Sequence, residues 1–251
     1  MISASSTQAA RRTLAIVALT IASTLAIPAL AGATLVEVGQ KARTSAPAAP
    51  SCPGNPCLAV SRTTGFQVSV ASLTAPMTIS RTGRIVAWTI TLSKPSATQI
   101  KYFDEHEGGA ASAGIAILQP KMSAKGAANT STGPAKKPSK PQTPAGYTLV
   151  AQSPVLPLET YFGETTQFAL EKTLEVKKGD IVALTVPTWA PALTLGFGKT
   201  TGWRASRPAV KKGCEETSVQ TAHTKLGSVQ PYACQYHEAR LTYSATLIST
   251  P

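Results

Sequence analysis

The densest concentration of groups able to do chemistry is Asp104-Glu105-His106-Glu107, followed at once by Gly108-Gly109. Carboxylates are hard oxygen donors, so Asp104, Glu105 and Glu107 could together hold Ca²⁺, and two of them could exchange protons as general acid and base. Adjacent residues project in different directions, however, and the spacing is not that of an EF-hand loop. The competing reading is a solvated loop at a strand end. A second set is aromatic: Trp189 in Thr188-Trp189-Ala190-Pro191, and Trp203 in Gly202-Trp203-Arg204. An exposed indole stacks on a sugar face while polar neighbours such as Arg204 fix hydroxyls, which makes Trp189, Trp203 and Arg204 the candidate ligand residues. The alternative is that both rings pack over sheet edges.

Four cysteines, Cys52, Cys57, Cys214 and Cys234, complete the inventory. Four allow three pairings, and proximity in sequence favours Cys52 with Cys57 and Cys214 with Cys234. Zinc is disfavoured because Cys214 and Cys234 are far apart and neither His223 nor His237 sits at ligand spacing. Disulfides belong to chains that leave the reducing cytosol.

Enzyme signatures are missing: the sequence has no G-x-S-x-G elbow, H-E-x-x-H, S-x-x-K or phosphate-binding glycine loop. A glycosidase needs only two carboxylates at a set separation, and Glu159 with Glu164 or Glu215 with Glu216 could supply them without any motif. The acids are few, so a non-catalytic role is the primary expectation, with a polysaccharide hydrolase and a ligand-free structural protein as alternatives.

The elements that must position these residues are strands. Candidates run over 66–70, 77–80, 84–92, 99–103, 114–118, 147–151, 155–158, 167–170, 174–176, 181–186, 193–197 and 240–248, with turn residues between them. In 84–92, Val86, Trp88, Ile90 and Leu92 make one apolar face, which places Trp88 in the core. A short helix is expected only over 215–226. Short strands at regular spacing read as an antiparallel β-sandwich, jelly-roll-like, in a single all-β domain. The organising stretch is 174–193, where Lys177-Lys178-Gly179-Asp180 supplies turn chemistry between two apolar runs and Pro187 ends the second as a strand stop. This layout, a K-x-G-D turn between apolar strands across 147–198, resembles the jelly-roll sandwiches of bacterial carbohydrate-binding and cell-surface modules. The resemblance implies a fold and carries no ligand residue with it.

The chain has 251 residues and a net charge of +12 from 24 Lys+Arg and 12 Asp+Glu. Nine of the basic residues lie outside the expected folded body, in three segments. Arg11-Arg12 and the uncharged apolar span after it, closed by Ala29-Leu30-Ala31, mark residues 1–33 as an export signal or an uncleaved membrane anchor. Residues 34–50 read as a disordered tether, and 119–146 as a mobile Lys/Pro-rich loop within the domain that begins at 51. The 15 remaining basic residues face 11 acids once Glu37 is grouped with the tether, so the body carries about +4. That balance, without a basic stripe interleaved with aromatics, argues against specific nucleic-acid binding. The expected partners are cell-surface polysaccharide or an anionic wall polymer, and contact with a membrane comes only through the N-terminal segment. No cofactor is expected beyond the Ca²⁺ noted above.

Overall fold

The computed structural model describes residues 33–39, 48–54, 57–122, 144–208, 214 and 220–250. Residues 1–32 of the expected export segment, part of the tether (40–47), residues 123–143 of the expected loop, and Glu215 with Glu216 lie outside the described residues.

Two antiparallel sheets carry the fold. The first has the order β1 (Thr34–Val38), β15 (Tyr243–Ser249), β4 (Gly83–Thr91) and β8 (Thr165–Val176). The second runs β12 (Val229–Gln230), β6 (Gly146–Gln152), β5 (Ser112–Lys121), β9 (Ile181–Ala190), β2 (Val60–Val70), β11 (Gly202–Ala205) and β13 (Cys234–His237). Two-residue strands β3 (Leu73–Thr74) and β7 (Leu156–Pro157) pair with β2 and β5, and β10 (Leu193–Leu195) pairs separately with β14 (Ala239–Leu241). When the strands of five residues or more are counted in chain order, one sheet reads 1-8-3-6 and the other 5-4-7-2. That interleaving is the double Greek key of a jelly roll, in agreement with the fold class expected from the sequence.

The turn at 177–180 does what its composition dictates. Asp180 Oδ2 accepts from the Lys177 amide at 2.8 Å, and Gly179 takes φ 95°, so the chain reverses from β8 in one sheet into β9 in the other. Strand β9 then lies between β5 and β2, which explains its uninterrupted apolar run: Ile181 to Val186 are all buried. Trp88 is completely buried between the sheets, as expected.

Several expectations are corrected. Residues 99–103 are not a strand but part of helix α1 (Ala97–His106). Ser96 Oγ accepts from the Gln99 amide while the Gln99 side chain accepts from the Ser96 amide, a complete capping box that outweighs the β-formers Ile100, Tyr102 and Phe103. Pro187 does not end β9, which continues to Ala190. The β2–β9 register shifts between Ser61 and Thr63, so Pro187 falls at a bulge where its missing N–H costs no ladder bond. Residues 34–38 belong to β1 rather than to the tether. Residues 240–248 do not form one strand: the chain breaks at Thr242, whose hydroxyl donates to the Thr91 carbonyl at 2.6 Å, and passes from the β10–β14 pair into the first sheet. The helix expected over 215–226 is absent where the chain is described, from Gln220 onward.

Candidate functional site

The second sheet is wider than the first, and β11 and β13 form its overhang. Trp203 stands opposite Gln67 on β2 and Tyr236 on β13. Gln67 points toward the interior, where Nε2 donates to the Ala239 carbonyl at 3.2 Å and Oε1 accepts from the Leu241 amide at 3.1 Å. Trp203 and Tyr236 therefore lie on the inward side of the overhang, stacked at 4.8 Å between centroids. The short β10–β14 pair, the segment 57–61 and the end of α1 come up against them. The result is a cleft of about 400 Å³ whose lining includes Tyr102, Glu107, Trp203, Arg207, Tyr236 and His237. Cys57 and Cys214 also line it, so one half of each disulfide forms a wall.

Helix α1 brings Tyr102 and Glu107 to this place because it is clamped to the sheet between them. Phe103 stacks on Trp189 at 4.5 Å, and Trp189 Nε1 donates to Asp104 Oδ1 at 3.0 Å. Past the helix end, Glu107 Oε2 accepts from Arg62 Nε at 2.8 Å, tying the helix terminus to the β2 bulge. On the opposite wall Arg207, 1 % exposed, donates to the Cys214 carbonyl and the Tyr236 hydroxyl. Gln220 Nε2 donates to the Ser61 carbonyl and closes that side.

The residues expected to carry chemistry are distributed differently. Asp104 holds Trp189, Glu105 pairs with Lys101 at 3.9 Å along the exposed helix face, and Glu107 holds Arg62. Among the described residues no group of three or more His, Cys, Asp or Glu side chains is placed to hold a metal ion. Trp189, expected on a loop surface, is completely buried in β9. Arg204 points to the other side of β11 from Trp203, where Nη1 donates to the Tyr232 carbonyl at 3.1 Å. Of the three expected ligand residues only Trp203 lines the cleft, with Tyr102, Tyr236 and Glu107 the additions. Glu159 and Glu164 are exposed around a single 3₁₀ turn (Glu159–Tyr161). Both expected disulfides form, Cys52–Cys57 and Cys214–Cys234, which indicates an oxidising, extracytoplasmic environment. Among the described residues no helix is long and apolar enough to cross a membrane.

The outer side of the overhang is sealed by a polar joint at His223, which is completely buried. The Ser228 carbonyl, 3.1 Å from Nε2, can only accept, so Nε2 carries the proton and Nδ1 accepts from the Tyr232 hydroxyl at 3.2 Å. Burial lowers the His223 pKa below 6.5, the Ser228 bond opposing this in part. The unfolded chain therefore takes up the proton first as pH falls. Stability from this site is complete above about pH 6.5 and is lost from there downward, until the native imidazole is itself protonated. The thermal midpoint should fall between pH 7.5 and pH 5.5, and His223→Gln should flatten that fall. An equally steep fall in the variant would assign it elsewhere.

No protein-family model matches the chain, and no curated protein and no solved structure shows significant similarity to it, so the cleft has to be interpreted from its own geometry.

Proposed function

We propose that this chain is an exported, non-catalytic β-sandwich module of the cell surface or envelope that binds polysaccharide in the cleft beneath β11 and β13. The N-terminal segment directs it across the membrane and is either removed after Ala31 or kept as an anchor on the outer face. The observation that carries the binding reading is the cleft itself: about 400 Å³, within the range of small-ligand sites, with three aromatic rings and a few polar groups in its lining. Tyr102 is half-buried and stacked on His106 at 4.4 Å. It offers a platform in the same cleft as Trp203, which is buried, and Tyr236. Catalysis by a carboxylate pair is not favoured, since Glu107 is the one carboxylate in the described lining.

Retention on insoluble polysaccharides and a glycan array test the proposal. Tyr102→Ala, at a half-exposed helix position, should leave the fold intact and weaken retention about tenfold through the lost aromatic contact. Wild-type protein that binds no glycan on the array would remove the reading.

A further inference from the structure

We propose that the cleft selects uncharged saccharides, recognised through hydroxyls that donate to Glu107 and accept from Trp203, and that it discriminates against anionic polymers; this rests on the saccharide-binding reading above. Two polar atoms in the lining carry the inference. Trp203 Nε1 is buried and has no hydrogen-bond partner. A β-carbon at Gly65 would meet Trp203 Cζ3 at 2.7 Å and Cε3 at 2.8 Å, so the benzo edge is seated on β2 and the opposite, N–H edge is turned away from that strand. Glu107 supplies the complement. Arg62 engages Oε2, while Oε1 takes no hydrogen bond from a described residue. Its side chain is only 15 % exposed, so its charge is poorly screened by water.

A donor-only site and an acceptor-only site in one cleft define the ligand by elimination. A carboxylate or phosphate satisfies the indole but has no proton to donate to Glu107, whose charge Arg62 already balances. An ammonium satisfies Glu107 but offers nothing to the indole. A hydroxyl does either, because it carries one donor and two lone pairs, and a sugar ring presents several at fixed spacing beside an apolar face that suits Tyr236 and Tyr102. Arg207 is engaged in the wall of the cleft, its guanidinium donating to the Cys214 carbonyl and the Tyr236 hydroxyl. Leaving a buried N–H unpaired is costly, which makes an entering hydroxyl worth more here than at an exposed indole.

The test uses the full chain, ¹⁵N-labelled on its three tryptophans. The probes are neutral gluco-, manno- and N-acetylglucosamine hexasaccharides, a uronic-acid hexasaccharide and a teichoic acid. At least one neutral probe should shift the Trp203 indole resonance downfield. Trp88, whose Nε1 is also unpartnered but lies between the sheets, and Trp189, already bonded to Asp104, should stay in place. Glu107→Gln should weaken the neutral probe about tenfold, the difference between a charged and a neutral acceptor, and should strengthen the uronic-acid probe. If the anionic probes bind more tightly than every neutral one, or if a bound neutral probe leaves the Trp203 indole unmoved, the selectivity is overturned while saccharide binding stands. If no probe of either class binds, both readings fall together. The indole readout needs only the wild-type chain, so it holds even where the Glu107 variant loses its anchor on Arg62.

Discussion

Trp189→Ala is expected to destabilise the protein by about 3–5 kcal/mol, the range for deleting a fully buried large aromatic, and to displace helix α1. The indole is completely buried, with Phe103 on one side at 4.5 Å and Phe162 at 5.5 Å. Its Nε1 bond to Asp104 joins the helix to β9 at the same point. The variant loses the transfer energy of the ring, leaves a cavity lined by two phenyl groups, and strips Asp104 of its donor. Trp189→Phe keeps an aromatic ring and loses the hydrogen bond, so it should cost about 1–3 kcal/mol. Urea unfolding midpoints of the two variants separate packing from hydrogen bonding. A Trp189→Ala midpoint equal to that of the wild type would mean that the ring does not pin the helix. Glu107 lies three residues beyond Asp104, so Trp189→Ala should also lose ligand affinity without touching the ligand.

Removing the Cys214–Cys234 bridge is the second large effect. It spans 20 residues, and the chain-entropy model gives about 3 kcal/mol for such a loop. Cys234 is completely buried on β13 opposite Ala205, and Cys214 lies in the cleft wall. A Cys214→Ala/Cys234→Ala variant should therefore lose about 3 kcal/mol in urea unfolding and most of its saccharide affinity. The Cys52–Cys57 bridge spans five residues, and its removal should cost about 2 kcal/mol on the same model. Reductant should reproduce both losses in the wild type and leave the double variant of each pair with only the other's effect. A ranking in the opposite order would show that the bridges act through the native walls of the cleft rather than through the unfolded chain.

How much of this was legible in the sequence depended on whether the signal was local. The Lys177–Asp180 turn, the buried run after it and the pairing of neighbouring cysteines are local, and each is found as expected. Helix α1 was readable in principle from Ser96 and Gln99, but Thr98, Ile100, Tyr102 and Phe103 speak for a strand when propensity is weighed before capping. Pro187 misled for a different reason. Its tolerance inside β9 depends on a bulge contributed by β2, more than a hundred residues earlier in the chain. The cleft was illegible for the same cause: Glu107 finds Arg62 45 residues away, and Trp203 finds Tyr236 across a ribbon whose strands carried no recognised signal. The first five residues of the expected tether fold because β15 offers them an edge, and nothing in their own composition announces that.

That edge pairing has a consequence for the order of events in the life of the chain. Thr34 is hydrogen-bonded to Ser249 across 215 positions, and β15 also supplies the middle of the sheet between β1 and β4. The first sheet is therefore missing an interior member until β15 has been made, and contacts of such long range form slowly. Until β15 is available, β1 has no neighbour and one edge of β4 stays open.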